Sequence, residues 1–281
     1  EGDRFRLDKK TILGEPAVLD KEGNLKELAH ISCTLPEIFN TVKAGEQIYF
    51  DDGKIEGIVK EIHSDHLIIE ITNTKKTGGK LKADKGINLP NSDLGISGLT
   101  EKDKTDLKFI TQNADTVNFS FVNNKQDVRE LLKELRKLKA NMGIILKIET
   151  QEGYRNLPSI LLKAMENYPV GVMIARGDLA IETGWRNFAI IQEEILQLCD
   201  AAHLPDIWAT QVLENLAKKG IPTRAEITDA AMAQRADCVM LNKGPYIEKA
   251  VRMLDKVLCK MQRIQKKKRA ILPKLEFNEN L

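Results

Sequence analysis

VGVMIARGDLAIETGW, Val170 to Trp185, is apolar up to Ala175 and then turns abruptly polar at Arg176, Gly177 and Asp178. A short apolar run closed by a cation, a glycine and a carboxylate reads as a buried strand feeding a helical turn. The same rhythm recurs on both sides of it. Strands are expected at TVNFSF (116–121), GIILKIE (143–149), GVMIA (171–175), DIWAT (206–210) and CVML (238–241). Between and around them the apolar spacing predicts helices near 102–112, 124–139, 154–167, 187–202, 211–218, 224–235 and 246–264. Thr223-Arg224-Ala225-Glu226 has the form of a capping box and fixes one helix start. Alternating strands and helices imply an α/β fold with a parallel sheet. Five such strands could form an open sheet or part of a closed barrel. In either case the site belongs at the carboxyl ends of the strands.

The first third has a different pattern. EQIYFDD, GKIEGIVKEI and HLIIEIT carry β-branched and aromatic residues, interrupted at Asp52-Gly53 and Ser64-Asp65. Taken by itself, Asp51-Asp52-Gly53 reads as a hairpin turn. The polar stretch from Thr72 to Gly86 leads out of this region, so a small all-β domain is expected over 1–84. A (β/α) domain is then expected over 85–262 and a basic tail over 263–281.

The totals set wider bounds. A chain of 281 residues with 42% hydrophobic content can bury a sizeable core. No run approaches the roughly 20 apolar residues that span a bilayer, and EGDRFRLDKK has no apolar centre like that of a signal peptide. Beginning on Glu1 rather than Met suggests a piece of a longer or processed protein. With 43 basic and 41 acidic side chains the net charge is +2, which gives no reason to expect nucleic acid or a membrane as partner. The one basic run, Gln265 to Arg269, reads as a solvated tail. Cys33, Cys199, Cys238 and Cys259 form no CxxC, and the last three sit in apolar segments, where a reduced cysteine behaves as a small hydrophobe, which fits a reducing cytoplasm. The four histidines show no metal-ligand spacing.

Several strand ends carry residues suited to chemistry. Lys147 and Glu149 are two apart, so on a strand they share a face. Amid isoleucine and leucine each is costly to bury without a partner. They could neutralise each other as a structural pair. Alternatively, Lys147 could steady a phosphate or enolate oxygen while Glu149 ligates a divalent ion. In Ala175 to Ala180, Gly177 permits close backbone approach to a ligand, and a helical turn there would aim the Gly177 and Asp178 amides outward. Asp178 could be a second metal carboxylate, or a helix cap beside a salt-bridging Arg176. Thr210, at another strand end, could hydrogen-bond an anion or relay a proton, or simply cap the next helix.

Order and spacing then carry a resemblance. KGINLP (85–90), LTEKDKTDLKF (99–109), SFV (120–122), KIETQEG (147–153), ARGDLAIE (175–182), ATQVLENL (209–216), PTRAEITD (222–229) and ADCVML (236–241) together resemble the pyruvate kinase family. The resemblance implies a (β/α)8 TIM-type barrel, present here in part as strands four to eight, with a small all-β lid domain at 1–84. It implies a glycolytic transferase, a kinase moving phosphoryl between phosphoenolpyruvate and ADP to give pyruvate and ATP. Mg²⁺ (or Mn²⁺) is the implied cofactor, together with K⁺, whose usual ligands in the family come from strands not expected in this sequence. A homo-oligomer or a longer parent chain is also implied.

Carried over residue by residue, Lys147 resembles the catalytic lysine that steadies the transferring phosphoryl group and the enolate. Glu149 and Asp178 resemble the metal carboxylates. The Gly177 and Asp178 amides resemble the holders of the substrate carboxylate. Thr210 is similar to the catalytic, substrate-contacting threonine near the proton-transfer site, and Ser120 and Phe121 to the pocket lining after strand four. Lys85 resembles the lid-hinge lysine on nucleotide phosphate, and Asp52 the lid aspartate that closes over the nucleotide. One local departure follows Leu241, where Asn242-Lys243-Gly244-Pro245 stands in place of the family's Ser-Gly-Glu-Thr. The family's regulatory domain is not expected here, so control by a sugar phosphate is not implied. The same charged set would also serve a Mg²⁺-dependent pyruvate or enolate lyase, or a non-catalytic binding relative.

Overall fold

The computed structural model describes residues 1–74, 80–83, 85–92 and 98–263. Packing divides the chain into two units, Glu1–Ile96 and Ser97–Leu281. The first is built on β1 (Arg4–Asp8), a small ribbon of β2 (Val18–Leu19) and β3 (Leu25–Glu27), and β4 (Ala29–Ser32). After the short α1 (Ile38–Thr41) come β5 (Gln47–Phe50), β6 (Ile55–Ile62), β7 (His66–Thr74) and β8 (Ile87–Asn88). Six of these strands form one sheet in the order β4-β1-β7-β6-β5-β8. Leu7, Ile48, Phe50, Val59, Leu67 and Ile69 alternate along their strands with more exposed residues and close a core with Ile38 and Phe39. The expected hairpin joins β5 to β6, with Asp51, Asp52 and Gly53 all left-handed at φ 52°, 55° and 69°. The unit extends past residue 84 because β8 pairs with β5 and Leu89 enters this core.

The second unit alternates as its sequence rhythm predicts. Its elements are α2 (Glu101–Asn113), β9 (Thr116–Phe119), α3 (Lys125–Lys137), β10 (Gly143–Ile148), α4 (Gln151–Arg155) and α5 (Leu157–Ala164). There follow β11 (Val170–Ala175), α6 (Arg176–Thr183), α7 (Trp185–Ala201), β12 (Asp206–Val212), α8 (Glu214–Lys219), α9 (Arg224–Met232), β13 (Cys238–Leu241) and α10 (Ile247–Met261). The strands lie in sequential order, β13-β12-β11-β10-β9, and every pair is parallel.

Strand parity favours a barrel arc over an open doubly wound sheet. Ile144, Leu146, Ile148, Val170, Val172 and Ile174 join one core with Leu131, Leu161, Ile195, Leu216 and Leu254 from the helices. The alternate residues, Ile145, Lys147, Met173 and Ala175, are outside that core. Helices therefore cover one face of the sheet, the arrangement of a barrel wall rather than of a sheet covered on both faces.

Element boundaries differ from expectation where local chemistry intervenes. β9 ends at Phe119, two residues early, because Phe121 takes φ 52° and its N–H donates to a carboxylate instead of the ladder. The helix expected over 154–167 starts at Gln151 behind a Thr150 cap and breaks at Asn156, after which Leu157 opens a new helix with Pro158 in its first turn. β12 runs on to Val212, so the following helix starts at Glu214 rather than 211. The Thr223–Glu226 capping box forms as expected. Cys199 is buried, whereas Cys238 and Cys259 are exposed. Both lie on outward positions of otherwise apolar segments. The expected basic run at 265–269 and part of the exit from the β unit lie outside the described residues. Among the described residues no helix is long and apolar enough to cross a membrane.

Candidate functional site

The carboxyl ends of β9 to β12 bring together most of the residues singled out in the sequence. Ser120 and Phe121 follow β9, Lys147 and Glu149 close β10, Gly177 and Asp178 form the first turn of α6 after β11, and Thr210 lies in β12. Lys147 Nζ donates to Ser120 Oγ at 2.8 Å and pairs with Glu149 Oε1 at 2.9 Å. The other Glu149 oxygen accepts from the Phe121 N–H at 2.6 Å. This contact explains the left-handed backbone at Phe121, which turns its amide toward the carboxylate. Lys147 is thus both a structural partner of Glu149 and an ammonium directed to the working end of the sheet.

Glu149 is 3% exposed, and burial pushes its carboxyl above the ordinary value of 4.5. The Lys147 ammonium and the Phe121 amide oppose that shift, while the negative charge of Asp178 adds to it. Two acidic groups close enough to repel, one of them desolvated, form a set whose repulsion a hard cation would relieve. Among the described residues no group of three or more His, Cys, Asp or Glu side chains is placed to hold a metal ion. Glu149 and Asp178 fit an ion that takes two carboxylates and completes its shell with water and substrate oxygens.

At Gly177 an added Cβ would stand 3.1 Å from Thr210 Oγ1. The glycine lets the start of α6 lie directly against that hydroxyl. The side chain of Ala175 provides no cap for α6, so its first amides are not closed by the residue that precedes them.

Arg176 has more partners than its sequence context suggests. Its Nε donates to the Ala209 carbonyl at 2.9 Å and Nη2 to the Thr210 carbonyl at 2.7 Å. Nη1 and Nη2 form a two-pronged pair with Asp229, the Nη2 contact at 2.8 Å. The guanidinium also lies over the Trp208 ring, 4.5 Å from its centroid, and Trp208 Nε1 donates to Asp229 Oδ1 at 3.2 Å. Sequence reasoning missed Trp208 and Asp229 as members of the site. The available signal was a strand-end arginine needing a carboxylate, but the partner is 53 residues away on α9.

Asp52 and Lys85 belong to the first unit. Lys85 pairs with Asp51 at 2.9 Å, which also holds Lys54 at 2.9 Å. These lysines keep the Asp51 carboxyl below its usual value, Lys54 contributing most. Asp52, one residue on at the tip of the turn, is exposed.

Comparison with known proteins gives a consistent result. The sequence family described as pyruvate kinase, barrel domain, matches residues 11–251. Pyruvate kinases of Staphylococcus aureus strains USA300 and NCTC 8325 / PS 47 are each 34% identical over 255 residues, covering 88% of this chain and 42% of the relative. The chain therefore spans less than half the length of the curated relatives it matches.

Proposed function

This chain belongs to the pyruvate kinase family, and on that premise we propose that it forms the lid and the strand-four to strand-eight part of a phosphotransferase acting between phosphoenolpyruvate and ADP. The observation that carries the reading is the convergence of Lys147, Glu149, Gly177, Asp178 and Thr210 at the carboxyl ends of neighbouring strands. Phosphoryl transfer asks a protein for position and charge stabilisation more than for a nucleophile. The P–O bond to the enol oxygen breaks as an ADP oxygen bonds to phosphorus, the electron pair passes to the enolate, and its terminal carbon takes a proton to give pyruvate.

In this reading Lys147 steadies the phosphoryl group and the enolate oxygen, and Ser120 and Glu149 hold its ammonium in place. Ser120 and Phe121 line the pocket. The amides of Gly177 and Asp178 receive the substrate carboxylate. Thr210, against Gly177, hydrogen-bonds the substrate and relays the proton. Glu149 and Asp178 would hold Mg²⁺ (or Mn²⁺), which when bound would supply positive charge against the negative charge of the substrate. For the first unit, Lys85 and Asp52 are proposed as nucleotide contacts, by their likeness to the family's lid residues.

The test is ATP formation from phosphoenolpyruvate, ADP and Mg²⁺ by the full-length protein carrying this sequence. Turnover is expected. If that protein binds Mg²⁺ and pyruvate but turns over neither phosphoenolpyruvate with ADP nor pyruvate with ATP, the proposal is wrong.

A further inference from the structure

Arg176 begins α6 beside the proposed site, yet its charge is already committed. Its hydrogen bonds occupy Nε, Nη1 and Nη2: two backbone carbonyls of β12 on one side, the Asp229 carboxylate on the other, and the Trp208 ring beneath. Its side chain is 11% exposed. A planar guanidinium matched to a carboxylate and two carbonyls is a rigid clip, because its donors lie in fixed directions in one plane. Two of those donors grip the carbonyls of Ala209 and Thr210, the residue whose hydroxyl lies against Gly177.

Resting on the function proposed above, we infer that Trp208 and Asp229 are positioning residues for the proton-transfer step, acting through Arg176 on Thr210. Asp229 balances the guanidinium charge and fixes its plane, so that Arg176 does not compete with Lys147 for the substrate anion. Trp208 holds the same plane from below and ties Asp229 through its indole N–H. Through Arg176, α9 is linked to the backbone that carries the Thr210 hydroxyl. Loss of either support leaves the anion-holding groups in place but lets that hydroxyl drift from the enolate carbon. Proton delivery then suffers more than substrate binding, since misplacement of a reacting group lowers turnover while ground-state contacts survive.

The experiment uses the full-length protein with Asp229→Asn and Trp208→Phe variants. Three quantities are measured: kcat and KM for phosphoenolpyruvate, exchange of pyruvate methyl protons with deuterated solvent, and thermal midpoint. For Asp229→Asn, kcat and the exchange rate are expected to fall about 10- to 100-fold while KM changes less than about threefold. Trp208→Phe keeps a ring under the guanidinium and removes the indole donor, with an expected loss of about threefold to tenfold in both rates. If Asp229→Asn fails to fold, Trp208→Phe decides. A folded variant that turns over and exchanges like wild type overturns the inference. So does one whose loss lies entirely in KM, which would make the cluster part of substrate binding. Absence of wild-type turnover would refute the function itself, and this inference with it, a result distinct from a variant-specific negative.

Discussion

Lys147 has two acceptors in the structure, the Ser120 hydroxyl and the Glu149 carboxylate, and a substrate oxygen would be a third. Replacing it by methionine keeps the length of the side chain and removes the charge. Lys147→Met is expected to lower turnover by on the order of a thousandfold, the scale for losing one preorganised charge, with a native circular dichroism spectrum. Unchanged turnover would remove the residue from the mechanism. Glu149 gives a pH prediction for metal-free protein. Its folded carboxyl titrates above the ordinary 4.5, so the folded chain keeps a proton that the unfolded chain has released. The associated stability is present below 4.5 and lost as pH rises through the folded value. Urea midpoints measured in EDTA from acid to neutral pH should therefore decline more steeply for wild type than for Glu149→Gln, and parallel curves would contradict the assignment. The Lys147–Glu149 relation was legible in the sequence because two residues on one strand share a face whatever the tertiary fold. The Arg176–Asp229 pair was not, because it joins residues from separate elements and no local pattern encodes their distance.

At the scale of elements, the start of α6 is the most sensitive junction. Gly177→Ala would place a methyl 3.1 Å from Thr210 Oγ1, closer than an ordinary contact, so one of the two must move by a few tenths of an ångström. Turnover is expected to fall about tenfold with little change in thermal midpoint, and a variant as active as wild type would show that the junction yields freely. The α9 start is a structural counterpart. There the Thr223 hydroxyl accepts from the Glu226 N–H at 3.2 Å and Glu226 returns a contact to the Thr223 N–H at 2.8 Å. Thr223→Ala should cost about 1 kcal/mol, read as a midpoint lowered by roughly 2–4 °C, and no shift would mean that tertiary packing alone sets the helix start. This box could be read in advance because its hydrogen bonds are local. The early end of β9 and the left-handed Leu213 before α8, at φ 49°, could not, because each answers to tertiary neighbours.

For the whole molecule, the two units have separate cores, one built around Leu7, Ile48, Phe50 and Ile69, the other around Ile144, Leu146, Val172 and Ile174. Both tryptophans, Trp185 and Trp208, lie in the second unit, so their fluorescence reports on it selectively. Ile69→Ala, a large-to-small change at a fully buried site, should destabilise the first unit by about 2–5 kcal/mol and leave the tryptophan midpoint in place. A joint shift would mean that the units unfold as one. The strand–helix rhythm made the class of the second unit legible, but it could not separate an open sheet from a barrel wall. That distinction required knowing which strand face the helices cover. The same parity has a genetic consequence. One codon inserted into β10 ahead of Lys147 would exchange the two faces downstream, turning the ammonium into the helix-covered core and an isoleucine onto the face that carries Glu149. Insertion scanning should therefore find β10 intolerant of single additions, a frame defined by geometry rather than by the code.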